Sequence, residues 1–139
     1  MTMRVLRIGA LSLLLATELA LCSTGCARAE AGARPSATLR ATPLFGFPPL
    51  KVTFTLELHG DDEDALWCPG VGWSFGDESR SFQEGDCQPR QPGERAQRFY
   101  SIEHVYRRSA PTEEGFAVVA VAWRAGRLVA RDELRVGVR

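Results

Sequence analysis

The sequence predicts an all-β chain: an antiparallel β-sandwich of about seven short strands, preceded by a signal peptide. Three observations carry that prediction. Residues 52–59 alternate strictly, with Val52, Phe54, Leu56 and Leu58 on one face and Thr53, Thr55, Glu57 and His59 on the other, which is the period of a half-buried strand. Short β-patterned runs separated by Gly-, Pro- and Asp-rich turns recur through residues 37–139. The one long apolar run lies at the N-terminus.

That run, residues 8–21 (IGALSLLLATELAL), follows Arg4 and Arg7. It falls short of the roughly 20 residues a helix needs to cross hydrocarbon, and it fits the core of a signal peptide, with Glu18 as its one flaw. Two exits stay open. Ser23-Thr24-Gly25-Cys26 resembles a bacterial lipobox, with Ser23 where Leu is usual, and implies lipidation of Cys26. Ala27-Arg28-Ala29 is an A-x-A site that would release a soluble chain at Glu30. Residues 1–29 are therefore expected as leader, 30–36 as a short tether and 37–139 as the domain. The expected location is extracytoplasmic, a membrane-anchored lipoprotein being favoured over a soluble secreted or periplasmic chain.

Cys22 and Cys26 fall in the leader region, which leaves Cys68 and Cys87. An even pair in an exported chain predicts a disulfide, and closing a loop of about 20 residues contributes roughly 3 kcal/mol in the chain-entropy account. The 139 residues carry 17 basic and 17 acidic side chains. From Glu30 onward the counts are 14 and 16, which excludes a strong electrostatic pull toward nucleic acid or anionic lipid. Sixteen of the basic residues are Arg and Asn is absent, so no N-linked glycan site exists.

Taken in order, Ala37, Leu39 and Ala41 define a first strand, broken by Pro43 and Phe47-Pro48-Pro49. The alternating 52–59 run is the main core strand. Residues 60–64 (GDDED) read as an acidic turn, and 72–75 as a short strand closed by Gly76-Asp77. Residues 79–82 form a brief edge strand before a Pro/Gly/Gln-rich loop. Residues 95–106 alternate again. Residues 116–124 are apolar on both faces and so belong in the middle of a sheet, and Ala125-Gly126-Arg127 turns the chain into a last strand, 128–138. No helix is expected after the leader.

Ala41-Thr42-Pro43, Gly46, Pro49 and Val52-Thr53-Phe54, followed by Trp73-x-Phe75-Gly76-Asp77, His104-x-Tyr106 and Gly115-Phe116-x-Val118, resemble in order the motifs of the PKD (polycystic-kidney-disease) domain. The resemblance spans residues 38–138. It implies an Ig-like sandwich used outside the cytoplasm for protein or carbohydrate contact, often as a spacer, with Trp73, Phe75, Gly76, Asp77, His104 and Tyr106 as structural motif residues. Ser74 stands where that family usually has Asp, and Glu78 where Gly is common. The Cys68/Cys87 pair and the 83–98 insertion lie outside the pattern.

Other candidates are weaker. Gly72-x-Ser74-x-Gly76 matches the nucleophile elbow of α/β hydrolases, but that motif needs a large parallel sheet and a following helix. Asp61-Asp62-Glu63-Asp64, with Asp77 and Glu78, offers carboxylates for Ca²⁺ but lacks the spacing of a calcium loop, and reads better as a solvated turn. His59 and His104 lack a third metal ligand; the PKD resemblance implies that His104 donates to a backbone carbonyl near the Gly76-Asp77 turn. Tyr106 is expected as a buried corner residue with its hydroxyl on backbone. Trp67, Trp73 and Trp123 are either an aromatic sugar platform or core filling, core filling being favoured, with Trp67 the most exposed and Trp123 partly buried. The expected function is therefore a non-catalytic binding or spacer module at the bacterial cell envelope, without cofactor, metal or nucleic acid, contacting protein or carbohydrate through its edge strands and the 87–98 loop. The alternative is an accessory assembly subunit of a larger envelope complex.

Overall fold

A computed structural model describes residues 33–139; the expected leader, Cys26 and the A-x-A site lie outside them. The described chain is almost entirely β. Its strands are β1 (Ser36–Thr42), β2 (Phe45–Gly46), β3 (Leu50–His59), β4 (Gly70–Ser74), β5 (Arg80–Gln83), β6 (Phe99–Tyr106), β7 (Phe116–Arg124) and β8 (Arg127–Val138). One short helix, α1 (Glu63–Leu66), precedes β4. The strands form a three-stranded sheet, β1-β3-β6, and a five-stranded sheet, β2-β8-β7-β4-β5.

Eight strands replace the expected seven, and one pairing is parallel. After β1 the chain leaves the first sheet at Pro43, where proline cannot continue a ladder. It then runs alongside the end of β8 as β2, Phe45 opposite Gly137. The Gly137 amide donates to the Leu44 carbonyl at 2.9 Å and the Arg139 amide to the Gly46 carbonyl at 3.0 Å.

The acidic turn contains the other unexpected element. Asp62 caps α1, its carboxylate accepting from the Ala65 amide at 2.9 Å, and Glu63 and Asp64 occupy the first turn, where negative charge faces the unsatisfied N–H groups. Leu66, fully buried, anchors the helix to the core.

One apolar core draws on both sheets: Leu39, the inward residues of β3, Val71 and Trp73 of β4, alternate residues of β7, and Ala130, Val136 and Val138 of β8. No charged or polar residue of the described chain is buried there. β7 is central, as expected, but only Phe116, Val118, Ala120 and Ala122 are buried, while Val119 and Val121 on the other face stay partly open. The β7–β8 turn is two residues long, with Ala125 and Gly126 at φ of 47° and 73°, both in the left-handed region that a tight hairpin of this twist requires.

Candidate binding surface

β4 and β7 pair side by side in the five-stranded sheet, and the two ends of that pair define two places where chemistry-bearing residues gather. At one end lie the motif residues. Phe75 stacks on the His104 ring (4.1 Å, 7° between planes) and meets Phe54 at 5.6 Å. His104 meets Tyr106 edge-on at 4.7 Å, and Tyr106 stacks on Phe116 at 4.7 Å. The buried Tyr106 hydroxyl donates to the Phe75 carbonyl at 2.9 Å, tying β6 of one sheet to the end of β4 in the other, so the bond is a cross-sheet tie rather than a local corner. Burial pushes the Tyr106 hydroxyl's pKa far up. Gly76 is needed at this turn: at φ +83°, a Cβ there would lie 2.6 Å from the Ala117 carbonyl oxygen.

His104 does not bond a backbone carbonyl. Its Nε2 meets Asp77 Oδ2 at 2.8 Å, because the Gly76-Asp77 turn presents a carboxylate to the ring. Asp77 also accepts from the Ser79 hydroxyl and, at 3.2 Å, from the Ser79 amide. Burial raises the Asp77 carboxyl, but the Ser79 hydroxyl, the His104 ring and the Ser79 amide outweigh it and hold that carboxyl below the usual carboxylate range.

An Asp, a His and a Ser in contact invite comparison with a hydrolytic triad. There, the carboxylate holds one ring nitrogen and the other takes the serine proton. Here Asp77 and Ser79 both face Nε2, with Ser79 Oγ at 3.4 Å, and the serine proton is directed at Asp77. The cluster fastens a turn and has no base aimed at a nucleophile. Ser74 fares no better, since it sits within β4 opposite Arg80 and Val119, with a strand rather than a helix after the turn.

The acidic run belongs to the other end of β4, so it does not converge with Asp77. Asp61 accepts from the Ala33 amide at 3.3 Å, Asp62 caps α1, Glu63 pairs with Arg98 and accepts from the Ala96 amide at 2.6 Å, and Asp64 pairs with Arg90 at 2.7 Å. The Ala96 amide chiefly, with Arg98 and Arg90, lowers the Glu63 pKa against a smaller opposing effect of burial. Each carboxylate thus has a structural partner, and no group of three metal-ligating side chains forms among the described residues. His59 meets the Thr38 hydroxyl at 2.9 Å.

These same bonds hold the 84–98 segment in place. The Cys68–Cys87 disulfide (Cα–Cα 6.0 Å) joins it to the start of β4, and the Trp67 indole donates to the Gln88 carbonyl at 3.0 Å. Between this segment and the β7–β8 hairpin lies an open groove of about 880 Å³, bordered by Trp67, Phe82, Glu84, Gln88, Trp123 and Arg124. Trp73 is instead buried in the core, its Nε1 lacking a partner. The exposure ranking of the other two is the reverse of that expected: Trp123 is 41% exposed and Trp67 is half-buried, because the loop folds back over Trp67 while Trp123 projects from the outer face of β7.

The groove opens onto the outer face of the five-stranded sheet. β4 offers Gly70 and Gly72 there, and Phe82 from the edge strand lies across them. A Cβ on Gly70 would come within 2.8 Å of Phe82 Cζ, and one on Gly72 within 3.1 Å of Val121 Cγ2. Trp123 stands opposite both Gly70 and Leu128. Phe82 and Leu128 are 58% and 51% exposed, so an apolar strip runs from the edge strand to the hairpin. A second exposed group, Leu44, Phe45 and Phe47, lies at the opposite edge around β2, with Phe45 and Phe47 edge-to-face at 5.9 Å.

No known family model, curated protein or solved structure matches this chain.

Proposed function

We propose that residues 37–139 form an Ig-like, PKD-like β-sandwich serving as a non-catalytic contact module at the bacterial cell envelope, and that it engages an envelope component through the Trp67–Trp123 groove. The groove carries the reading: exposed aromatic rings converge with polar groups there, whereas the Asp77, Ser79 and His104 side chains are engaged in holding a turn. The strand order supports the sandwich. β1-β3-β6 corresponds to strands A, B and E of an immunoglobulin-type domain, and β8-β7-β4-β5 to G, F, C and C′. The disulfide suits an oxidising compartment. Lipidation at Cys26 would hold the module to a membrane, and release after Ala29 would leave it soluble.

With Cys26→Ser, so that no lipid anchor contributes, the full chain should sediment with purified envelope material, and Trp123→Ala should abolish that retention while leaving the fold intact. Retention unchanged by Trp123→Ala would refute the assignment of the groove. A second reading, an accessory subunit seated against a larger envelope complex, draws on the Leu44, Phe45 and Phe47 patch. Large apolar side chains clustered on a surface mark protein contacts, and a stoichiometric protein partner lost on Phe47→Ser would favour it.

A further inference from the structure

We infer that the occupant of the Trp67–Trp123 groove is a short, uncharged oligosaccharide. This rests on the contact-module reading and names the chemistry of its ligand. The groove is of ordinary size for a small-ligand site, where the usual range is roughly 300–1,000 Å³, at about 880 Å³. Its apolar border is aromatic, Trp67, Phe82 and Trp123, and flat rings of this kind stack against the C–H face of a pyranose. Trp67 is fixed by its bond to the Gln88 carbonyl, and the disulfide behind it keeps that wall from collapsing. Such a border is built before the ligand arrives, which lowers the ordering cost of binding.

The polar groups decide what kind of ligand fits. Glu84, Gln88 and Arg124 border the groove, and among the described residues none of their side chains takes part in a hydrogen bond or ion pair. A carboxylate, an amide and a guanidinium supply both acceptors and donors, as vicinal hydroxyls require. One negative and one positive charge leave the groove without net charge. A single-stranded nucleic acid would also stack on these rings, but it needs a positive track for its phosphates, and among the described residues the one cation here, Arg124, is offset by Glu84. The same balance gives an acidic polysaccharide no net attraction. A neutral sugar is the ligand whose apolar face and hydroxyl rim both find counterparts.

The test uses the full chain titrated with chitotetraose, cellotetraose and maltotetraose, followed by tryptophan emission and calorimetry. At least one should bind saturably, with affinity reduced at least tenfold by Trp123→Ala and by Arg124→Ala and unaltered by Phe47→Ala at the other edge. Both groove variants should stay folded, with unfolding midpoints within several degrees of wild type, and Arg124→Ala reads the site even if Trp123→Ala does not fold. Absence of saturable binding to all three sugars, or binding indifferent to both groove variants, would overturn the inference. If the sugars fail while retention on envelope material still depends on Trp123, the ligand is a protein or another polymer and the contact-module reading stands; if that retention is also indifferent to Trp123, both fall.

Discussion

The two ends of β4 and β7 are both rich in aromatic residues, yet they are built for opposite purposes. At the Phe75 end the rings of Phe75, His104, Tyr106 and Phe116 face one another, and the polar groups among them are paired: Tyr106 on the Phe75 carbonyl, His104 on Asp77, Asp77 on Ser79. At the Trp123 end Phe82 and Trp123 face water, and Glu84 and Arg124 stand free among the described residues. A satisfied, buried cluster contributes to stability; an unsatisfied, exposed one is available to a ligand. The contrast teaches that side-chain type is a poor guide to function here, and that the state of each polar group is a better one.

That contrast can be broken by substitution, and the largest effect belongs to the buried end. Phe75→Ala removes the ring between Phe54 and His104, and by analogy with other buried aromatic truncations should lower stability by about 3–5 kcal/mol, measured by urea unfolding. A loss below about 1 kcal/mol would mean this aromatic cluster does not hold the sheets together. Next comes the disulfide. Cys68→Ser with Cys87→Ser should destabilise by roughly 3 kcal/mol and weaken groove binding as well, because the 84–98 wall is fastened there. Unfolding and sugar titration on the same variant would separate the two effects.

Asp77 gives a smaller, pH-dependent signature. Its folded pKa is depressed, so its contribution is present above the unfolded value of about 3.9 and is lost as pH falls through the folded value. Asp77→Asn should cost about 2 kcal/mol near neutral pH, the scale of a hydrogen bond to a charged group. The gap between wild type and variant should narrow progressively below about pH 4; a gap independent of pH would show that the charge plays no part. Smallest in stability is Trp123→Ala, expected to change unfolding by about 1 kcal/mol or less because the side chain is already substantially exposed.

Much of the scaffold was legible because burial on one face writes itself into the sequence. The strict alternation of residues 52–59 became β3, and the apolar run 116–124 became the central β7. β2 was not legible, since two residues between prolines carry no period. Nor was α1: four residues cannot show a helical repeat, although Asp62 ahead of Ala65-Leu66, with acidic residues in the first turn, is the capping signal that marks it.

The candidate site was harder. Gly70 and Gly72 inside a strand do signal a close approach, but nothing local says that Phe82 provides it. Trp67 and Trp123 border one groove only because the disulfide loop and the β7–β8 hairpin meet at the same end of the sheet. His104 and Asp77, by contrast, lie in motifs that the sequence places in order, but the sequence does not say whether the ring meets a carbonyl or the Asp77 carboxylate, and the turn geometry selects the carboxylate.

Sedimentation of the full chain carrying Cys26→Ser, and so no lipid, with purified envelope material, compared across Trp123→Ala and Tyr106→Phe, tests the division of labour most directly. The account predicts that Tyr106→Phe lowers the unfolding midpoint yet sediments like wild type, while Trp123→Ala unfolds like wild type yet stays in the supernatant. Retention that follows the buried end, or that ignores both substitutions, would contradict it.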